Sequence, residues 1–233
     1  WNRLATNFHL AKVTVQRQGR ALSDAEQIRL FSVAQSKTKY RWVYCLLVLG
    51  YYCGMRPCEC LGLQWKDIDF ERRILSIRKS KTPAGWRDPS LNSVCFEALM
   101  LLYEQARAFG MADPNHYVFP YHQRGRWKNA PLDPTRPMVR YARQWAEIKK
   151  AAGLEGVWFY DGRHTARTKL AEMGMPDAVM DAQMGHVSPA IGKRYSHIRR
   201  EAMKRAAAAL EPAEAVRQIL INTPEADENA TIQ

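Results

Sequence analysis

The sequence predicts a mainly α-helical domain with a small antiparallel β-sheet, an α+β class, and three observations carry that expectation. Segments with apolar residues at helical spacing recur between recognisable start and stop signals. One of them, about Tyr40 to Cys53, is apolar nearly all round, as a helix at the centre of a core must be. The β-prone runs, by contrast, are few and short: Ile68 to Phe70, Ile74 to Arg78 and Asp88 to Leu91.

At 233 residues the chain is long enough to bury a sizeable core, as one large or two small domains. A net charge of +12 and a pI near 9.7 favour a polyanionic partner, nucleic acid first and an anionic membrane second. The longest apolar run, Trp42 to Cys53, is too short to span a bilayer, and nothing resembles a signal peptide. The chain opens at Trp1, as a fragment or a processed chain would. Its five cysteines (Cys45, Cys53, Cys58, Cys60 and Cys95) are odd in number and lack disulfide-like regularity, which suits a reducing cytoplasm. A Cys-x-Cys with no matching second pair is a poor zinc signal, so these read as buried free thiols and no metal is expected.

Residues 1–20 are polar and basic, and Arg3, Lys12, Arg17 and Arg20 suit either a strap along phosphates or a disordered end. Ser23-Asp24-Ala25-Glu26 is a capping box opening a helix that carries Ile28, Leu30, Phe31 and Ala34. After the apolar helix, Gly54 ends one helix and Pro57 opens the next, leaving Arg56 at the junction. A helix N-terminus favours an anion, so an arginine there suits phosphate; otherwise it caps the surface. Ser80 to Trp86 has the Pro and Gly of a turn between two β runs, with Lys81 at its mouth. Nearby positive charge would lower that lysine's pKa and fit it to protonate a leaving oxygen; Lys79 is its rival. Further on, Asn92 to Phe109 forms an amphipathic helix on Val94, Leu99, Leu101, Leu102 and Tyr103, and His116 to Pro120 reads as a short buried segment. Tyr121 to Pro137 is a basic loop with Arg124, Arg126, Trp127 and Lys128, either touching DNA or simply solvated. Met138 to Ala152 is a basic helix with Trp145 and Ile148 inward.

The stretch from Tyr160 to His197 organises the rest. It sets out Arg163, the pair Gly185-His186 and Tyr195, at intervals of 23 residues from Arg163 to His186 and 9 from His186 to Tyr195. Between them lie two short helical segments, Thr165 to Met173 stopping at Gly174, and one from Pro176 that places Val179, Met180, Gln183 and Met184 at helical spacing before Gly185. Ser188-Pro189 reads as a new helix start that carries Tyr195. An arginine, an imidazole and a phenol converging on one point are the groups needed to attack a phosphodiester with a protein nucleophile. Beyond them, Arg199 to Leu210 and Ala213 to Ile221 read as helices, and the polar, acidic end from Asn222 as disordered.

These boxes resemble the catalytic domain of the tyrosine recombinases, the phage integrase family. Its pattern reads Gly-Met-Arg-x-x-Glu and Leu-x-Leu-x-Trp-x-Asp-Ile, matched from Gly54 to Ile68, then a hairpin lysine, then His-x-x-Arg, Gly-His and Tyr. Tyr160 departs from it, standing where the family usually has its first histidine. The resemblance implies an integrase-like catalytic domain over residues 21–210, a linker at 1–20 that follows a DNA-clamping domain missing from this chain, and a C-terminal helix and tail at 211–233. That helix either packs on its own domain or docks on a neighbouring protomer. The implied activity is site-specific DNA recombination: Tyr195 attacks the scissile phosphate and forms a 3′-phosphotyrosyl link, Arg56 and Arg163 hold the non-bridging oxygens, His186 adds a hydrogen bond and Lys81 protonates the leaving 5′-oxygen. Tyr160 keeps a hydrogen-bonding role oriented by Glu59, and His164 either supports the site or buttresses the fold. No cofactor is implied. The implied partners are double-stranded DNA and further protomers in a tetrameric synapse, in a cytoplasmic, DNA-associated protein without a membrane. Two other readings stand beside this one, a catalytically impaired DNA-binding protein and a type IB topoisomerase-like relaxing activity.

Overall fold

The computed structural model describes residues 19–78, 86–122, 132–185 and 198–221. The core is built on the apolar helix. Ser23 caps α1 (Asp24–Gln35) through the expected box, its hydroxyl accepting from the Glu26 amide while the Glu26 carboxylate accepts from the Ser23 amide. A single 3₁₀ turn at Thr38–Tyr40 then leads into α2 (Arg41–Tyr52), in which every residue from Trp42 to Tyr52 is buried. It can afford no polar face because α1, α4 (Ser93–Ala108) and α6 (Asp161–Glu172) all pack against it. Leu46, Leu47 and Leu49 have no exposure, so truncating any of them to alanine would cost about 2–5 kcal/mol.

Gly54 at φ +68° ends that helix and Pro57 begins the short α3 (Pro57–Leu61), with Arg56 as its N-cap residue. The chain then forms a two-stranded antiparallel pair, β1 (Ile68–Asp69) with β2 (Ile74–Leu75). Bridges Ile77↔Arg87 and Ile74↔Ser90 extend it, so the segment around Asp88 to Leu91 lies alongside as expected. A second antiparallel pair, β3 (Pro120–His122) with β4 (Leu132–Pro137), corrects the sequence reading. The end of the predicted basic loop is strand, and its two prolines are accommodated because β4 pairs on one side only among the described residues. Arg124, Arg126, Trp127 and Lys128 lie outside the described residues.

Two helix boundaries also differ from expectation. The helix bearing Arg163 starts at Asp161 rather than Thr165. The buried Asp161 carboxylate accepts from the amides of Trp158 (2.8 Å) and Arg20 (3.3 Å), closing the turn that begins the helix. Gly162 is tolerated within it because any Cβ there would sit 2.5 Å from the Tyr51 ring. The basic helix α5 (Ala142–Ala151) starts four residues later than predicted, with Trp145 and Ile148 inward as expected.

A smaller apolar cluster joins α6 to α7 (Asp177–Met184) and α8 (Ile198–Ala209) through Ala166, Leu170, Met180, Met184, Ala206 and Leu210. The last helix, α9 (Glu214–Ile221), packs on its own domain against α1, with Val216 and Leu220 buried. Gln35 Nε2 and the Tyr44 hydroxyl both donate to the Leu220 carbonyl (2.7 and 2.9 Å), closing the C-terminal end of that helix. No helix among the described residues is long and apolar enough to cross a membrane. Four cysteines are buried, but Cys58 is exposed, against the expectation that all five are interior.

Candidate active site

Arg56, Glu59 and Arg163 meet where α2, α3, α6 and α7 converge. Glu59 sits in the first turn of α3 and its carboxylate is fully buried. Oε2 accepts from the Arg56 amide (2.9 Å) and Oε1 from Arg56 Nη1 (2.8 Å), so the helix start and the arginine side chain are fixed by one acid. Arg56 Nη2 donates to the Gly185 carbonyl at 3.1 Å. This bond ties the first arginine box to the residue immediately before His186.

Arg163 comes up from α6 and is almost completely buried. Its Nη1 donates to the Gly54 carbonyl, two residues before Arg56. Nε and Nη2 are buried and have no hydrogen-bond partner among the described residues. Burial, and then the neighbouring charge of Arg56, pulls this guanidinium down to about 10. Two like charges held together, one with donors left unpaired among the described residues, form a site arranged for an anion.

Beside them runs a cleft of about 430 Å³ lined by Tyr160, Arg163, His164, Arg167, Asp181 and Met184. Tyr160, at the N-terminus of α6, is partly exposed and meets the His164 ring edge-on at 5.3 Å. Burial opposes the charge of Arg56, but Glu59 and then Tyr160 outweigh it and raise the pKa. His164 also packs against the extended segment before α1, since a Cβ on Gly19 would collide with its ring at 2.1 Å. Arg167 closes the far side of the cleft, bonded to Asp181 (3.1 Å) and near Asp177 (3.7 Å).

Of the residues expected at the site, Arg56, Glu59, Tyr160, Arg163 and His164 are therefore gathered here. Lys81 (and its rival Lys79), His186 and Tyr195 lie outside the described residues. The elements that bracket them are in place: Ile77 pairs with Arg87 across the mouth of the hairpin, Gly185 at φ +78° ends α7, and Ile198 opens α8. Sequence reasoning missed two residues. Arg87, fully buried, donates from Nη1 and Nη2 to both Glu59 oxygens (3.0 and 2.8 Å) and from Nε to the Gln183 carbonyl (3.1 Å). Gln183, with no exposure, bonds to both backbone groups of Ser90. No local signal marks Arg87, since the run Trp86-Arg87-Asp88 puts an exposed aromatic beside two charges and reads as a surface strand. No group of three or more His, Cys, Asp or Glu among the described residues is placed to hold a metal ion.

The chain matches the model of the phage integrase family over residues 20–202. It is 26% identical over 148 residues to the integrase of Salmonella phage P22, covering 62% of this chain and 36% of that protein. It is also 26% identical over 188 residues to the prophage integrase IntR of Escherichia coli (strain K12), covering 71% and 44%. The chain thus spans less than half the length of these curated relatives. Among solved structures, the Tn1549 transposon integrase in complex with a circular intermediate DNA superposes with a TM-score of 0.59 at 19% identity, over 82% of this chain and 66% of that one. The XerA recombinase does so with 0.57 at 22% identity, over 84% and 67%. At that identity the superpositions establish a shared fold, mainly helical with small antiparallel sheets. With a family match that takes in Arg56, Arg163 and each helix that holds them, the chain belongs to the phage integrase family.

Proposed function

We propose that this chain is the catalytic part of a site-specific DNA recombinase, which cuts and rejoins double-stranded DNA through a 3′-phosphotyrosyl intermediate. The observation that carries the reading is Arg163. A buried guanidinium with two nitrogens unpaired among the described residues, beside a second arginine and facing a cleft, is expensive unless an anion completes it. A scissile phosphate does so, and its charge grows in the transition state, which the same donors then favour.

In this mechanism the Tyr195 oxygen attacks phosphorus, the phenol passing its proton to solvent water as the new bond forms. The P–O5′ bond breaks and Lys81 gives its proton to the departing oxygen. Arg56 and Arg163 hold the non-bridging oxygens, and His186, which follows the carbonyl bonded to Arg56, donates to the same phosphate. Tyr160 offers a hydrogen bond beside Arg56. A 5′-hydroxyl from another strand reverses the step, so the bond energy stays in the phosphotyrosyl link and rejoining calls for no nucleotide. DNA as the partner is supported by the net charge of +12 and by relatives such as the Tn1549 integrase, whose structure was solved in complex with DNA. Strand exchange needs several protomers, and a tetrameric synapse of this chain on DNA belongs to the same proposal.

Tyr160 supports a second reading. A phenol is a poor base near neutrality, and a site impaired there would leave a DNA-binding protein. A covalent-trapping assay separates the two. Wild-type chain and Tyr195→Phe meet a nicked cognate-site duplex that loses its 5′-hydroxyl fragment on cleavage. A denaturation-resistant protein–DNA band that vanishes with Tyr195→Phe is expected. Tight binding without any band would hand the protein to the second reading.

A further inference from the structure

The Glu59 carboxylate is one negative charge placed between two guanidiniums. Arg56 takes one side with a single side-chain bond, at 2.8 Å, while Arg87 takes a two-bond fork at 3.0 and 2.8 Å. Their exposures separate their roles. The Arg87 side chain is 1% exposed and cannot reach a DNA strand, whereas that of Arg56 is 24% exposed and opens on the site. With Arg87 in place, Glu59 is already neutralised by a buried partner. Arg56 is then held by Glu59 without being cancelled by it, and its charge remains for an incoming anion.

The same guanidinium is a mechanical joint. Its Nε bonds the Gln183 carbonyl near the end of α7. Its Nη1 fills the space beside Gly185, where a Cβ would lie 2.6 Å away. Arg87 itself sits on the strand paired with Ile77, at the base of the hairpin that carries Lys81. One buried side chain thus touches the supports of Arg56, of the hairpin loop and of the α7 terminus before His186.

We propose that Arg87 is a positioning residue for the strand-cleavage step: it neutralises Glu59 so that Arg56 meets the scissile phosphate with its charge intact and its orientation fixed. This rests on the recombinase reading above. Arg87→Gln should slow adduct formation at saturating nicked DNA by about 100-fold, the scale of losing one preorganised oxyanion donor. Its affinity for the same DNA should change by less than about threefold, because Arg87 makes no DNA contact. Lysine restores the charge but not the fork, so Arg87→Lys should recover about tenfold of that loss.

The deciding arm is Arg87→Gln combined with Glu59→Gln. Removing the carboxylate along with its neutralising partner frees Arg56 again, and the double variant should cleave at least about tenfold faster than Arg87→Gln alone. Thermal unfolding of each variant fixes the folded fraction used to normalise the rates. Should Arg87→Gln fail to fold, the double variant and Arg87→Lys are compared with wild type instead. An Arg87→Gln rate within about threefold of wild type, or a double variant no faster than the single, overturns the proposal and leaves Arg87 a structural residue. No adduct from the wild type sinks the recombinase reading itself, and this inference with it.

Discussion

Gln183 on α7 completes the backbone hydrogen bonding of Ser90 on the strand beside β2. Its Oε1 accepts from the Ser90 amide at 3.2 Å and its Nε2 donates to the Ser90 carbonyl at 2.9 Å, so a side chain takes the place of a neighbouring strand. Both residues are buried, and the pair fixes where α7 ends. Gln183→Leu keeps the volume and leaves two buried backbone groups unpaired, which should cost roughly 2–5 kcal/mol of stability. Denaturant unfolding gives the total. Hydrogen exchange at the Ser90 amide locates it, and unchanged protection there would show that another group replaces Gln183.

Gly185 and Gly54 both adopt positive φ, at +78° and +68°, yet alanine should not be equally costly at the two. At Gly54 a Cβ meets the methyl end of Met184 at 2.9 Å, which a flexible thioether can yield. Gly54→Ala should lose about 1–2 kcal/mol, the ordinary left-handed penalty. At Gly185 the Cβ meets Arg87, which is pinned by Glu59 and Gln183 and cannot withdraw. Gly185→Ala should therefore exceed Gly54→Ala by at least about 1 kcal/mol and slow cleavage with it. Equal losses in a side-by-side melt would show that Arg87 is not rigidly held.

Glu59 makes the fold acid-sensitive. Burial alone would raise its pKa, but the bonds from Arg87 and Arg56 bring it down to about 2 from 4.5. A carboxyl whose pKa is depressed on folding stabilises the protein fully above its unfolded value and loses that contribution as pH falls toward the folded one. The window is thus about pH 4.5 to 2, and the stake is on the order of 3 kcal/mol. Wild type should be much more stable than Glu59→Gln at pH 7, and the gap should narrow steadily toward pH 3. A gap that stays constant over that range would mean that Glu59 is not carrying the linkage.

Arg163 should trade stability for function. A buried guanidinium with two nitrogens unpaired among the described residues and a like charge beside it is a liability while no anion is bound. Arg163→Met removes the charge at similar volume and gives up only the bond to the Gly54 carbonyl. The DNA-free variant should melt no lower than wild type, with a gain of up to about 2 kcal/mol, while forming no covalent adduct. A fall of more than about 2 kcal/mol would show that the Gly54 bond outweighs the uncompensated charge.

Much of this architecture was legible because local signals and burial agree. The Ser23 box, the all-round apolar α2 and the Gly54/Pro57 punctuation each have a backbone cause written in adjacent residues. So does the placement of Arg56 at a helix N-terminus. What escaped reading depends on partners distant in sequence. Arg87 looks like a strand's surface charge until Glu59, 28 residues earlier, is seen to bury it. Gln183 reads as one more polar helix residue until it meets Ser90, 93 residues away. β4 reads as loop from sequence because Leu132–Pro137 holds two prolines and an aspartate, which local propensity counts against a strand but a one-sided pairing tolerates. The start of α6 was missed for a similar reason, since Asp161-Gly162 reads as a break unless Tyr51 is known to fill the space beside the glycine.

Tyr160 gives the sharpest test of how the phosphate site works. It stands beside Arg56, edge-on to His164, with its ring partly open to the cleft. A phenol there can donate or accept a hydrogen bond, but it does not exchange a proton near neutrality as an imidazole does. If hydrogen bonding is its whole role, Tyr160→Phe should slow adduct formation by about tenfold without weakening DNA binding. Tyr160→His should instead speed it by about tenfold or more, and add a rise in rate with pH centred near 6.5 that the wild type lacks. The direction follows from the chemistry: a neutral imidazole accepts the proton that the attacking phenol must lose, and the imidazolium present at lower pH cannot. Single-turnover trapping between pH 5.5 and 8.5 distinguishes the cases. A Tyr160→His variant that is no faster and shows no new pH dependence would place the proton path elsewhere, with His186 or solvent as its acceptor.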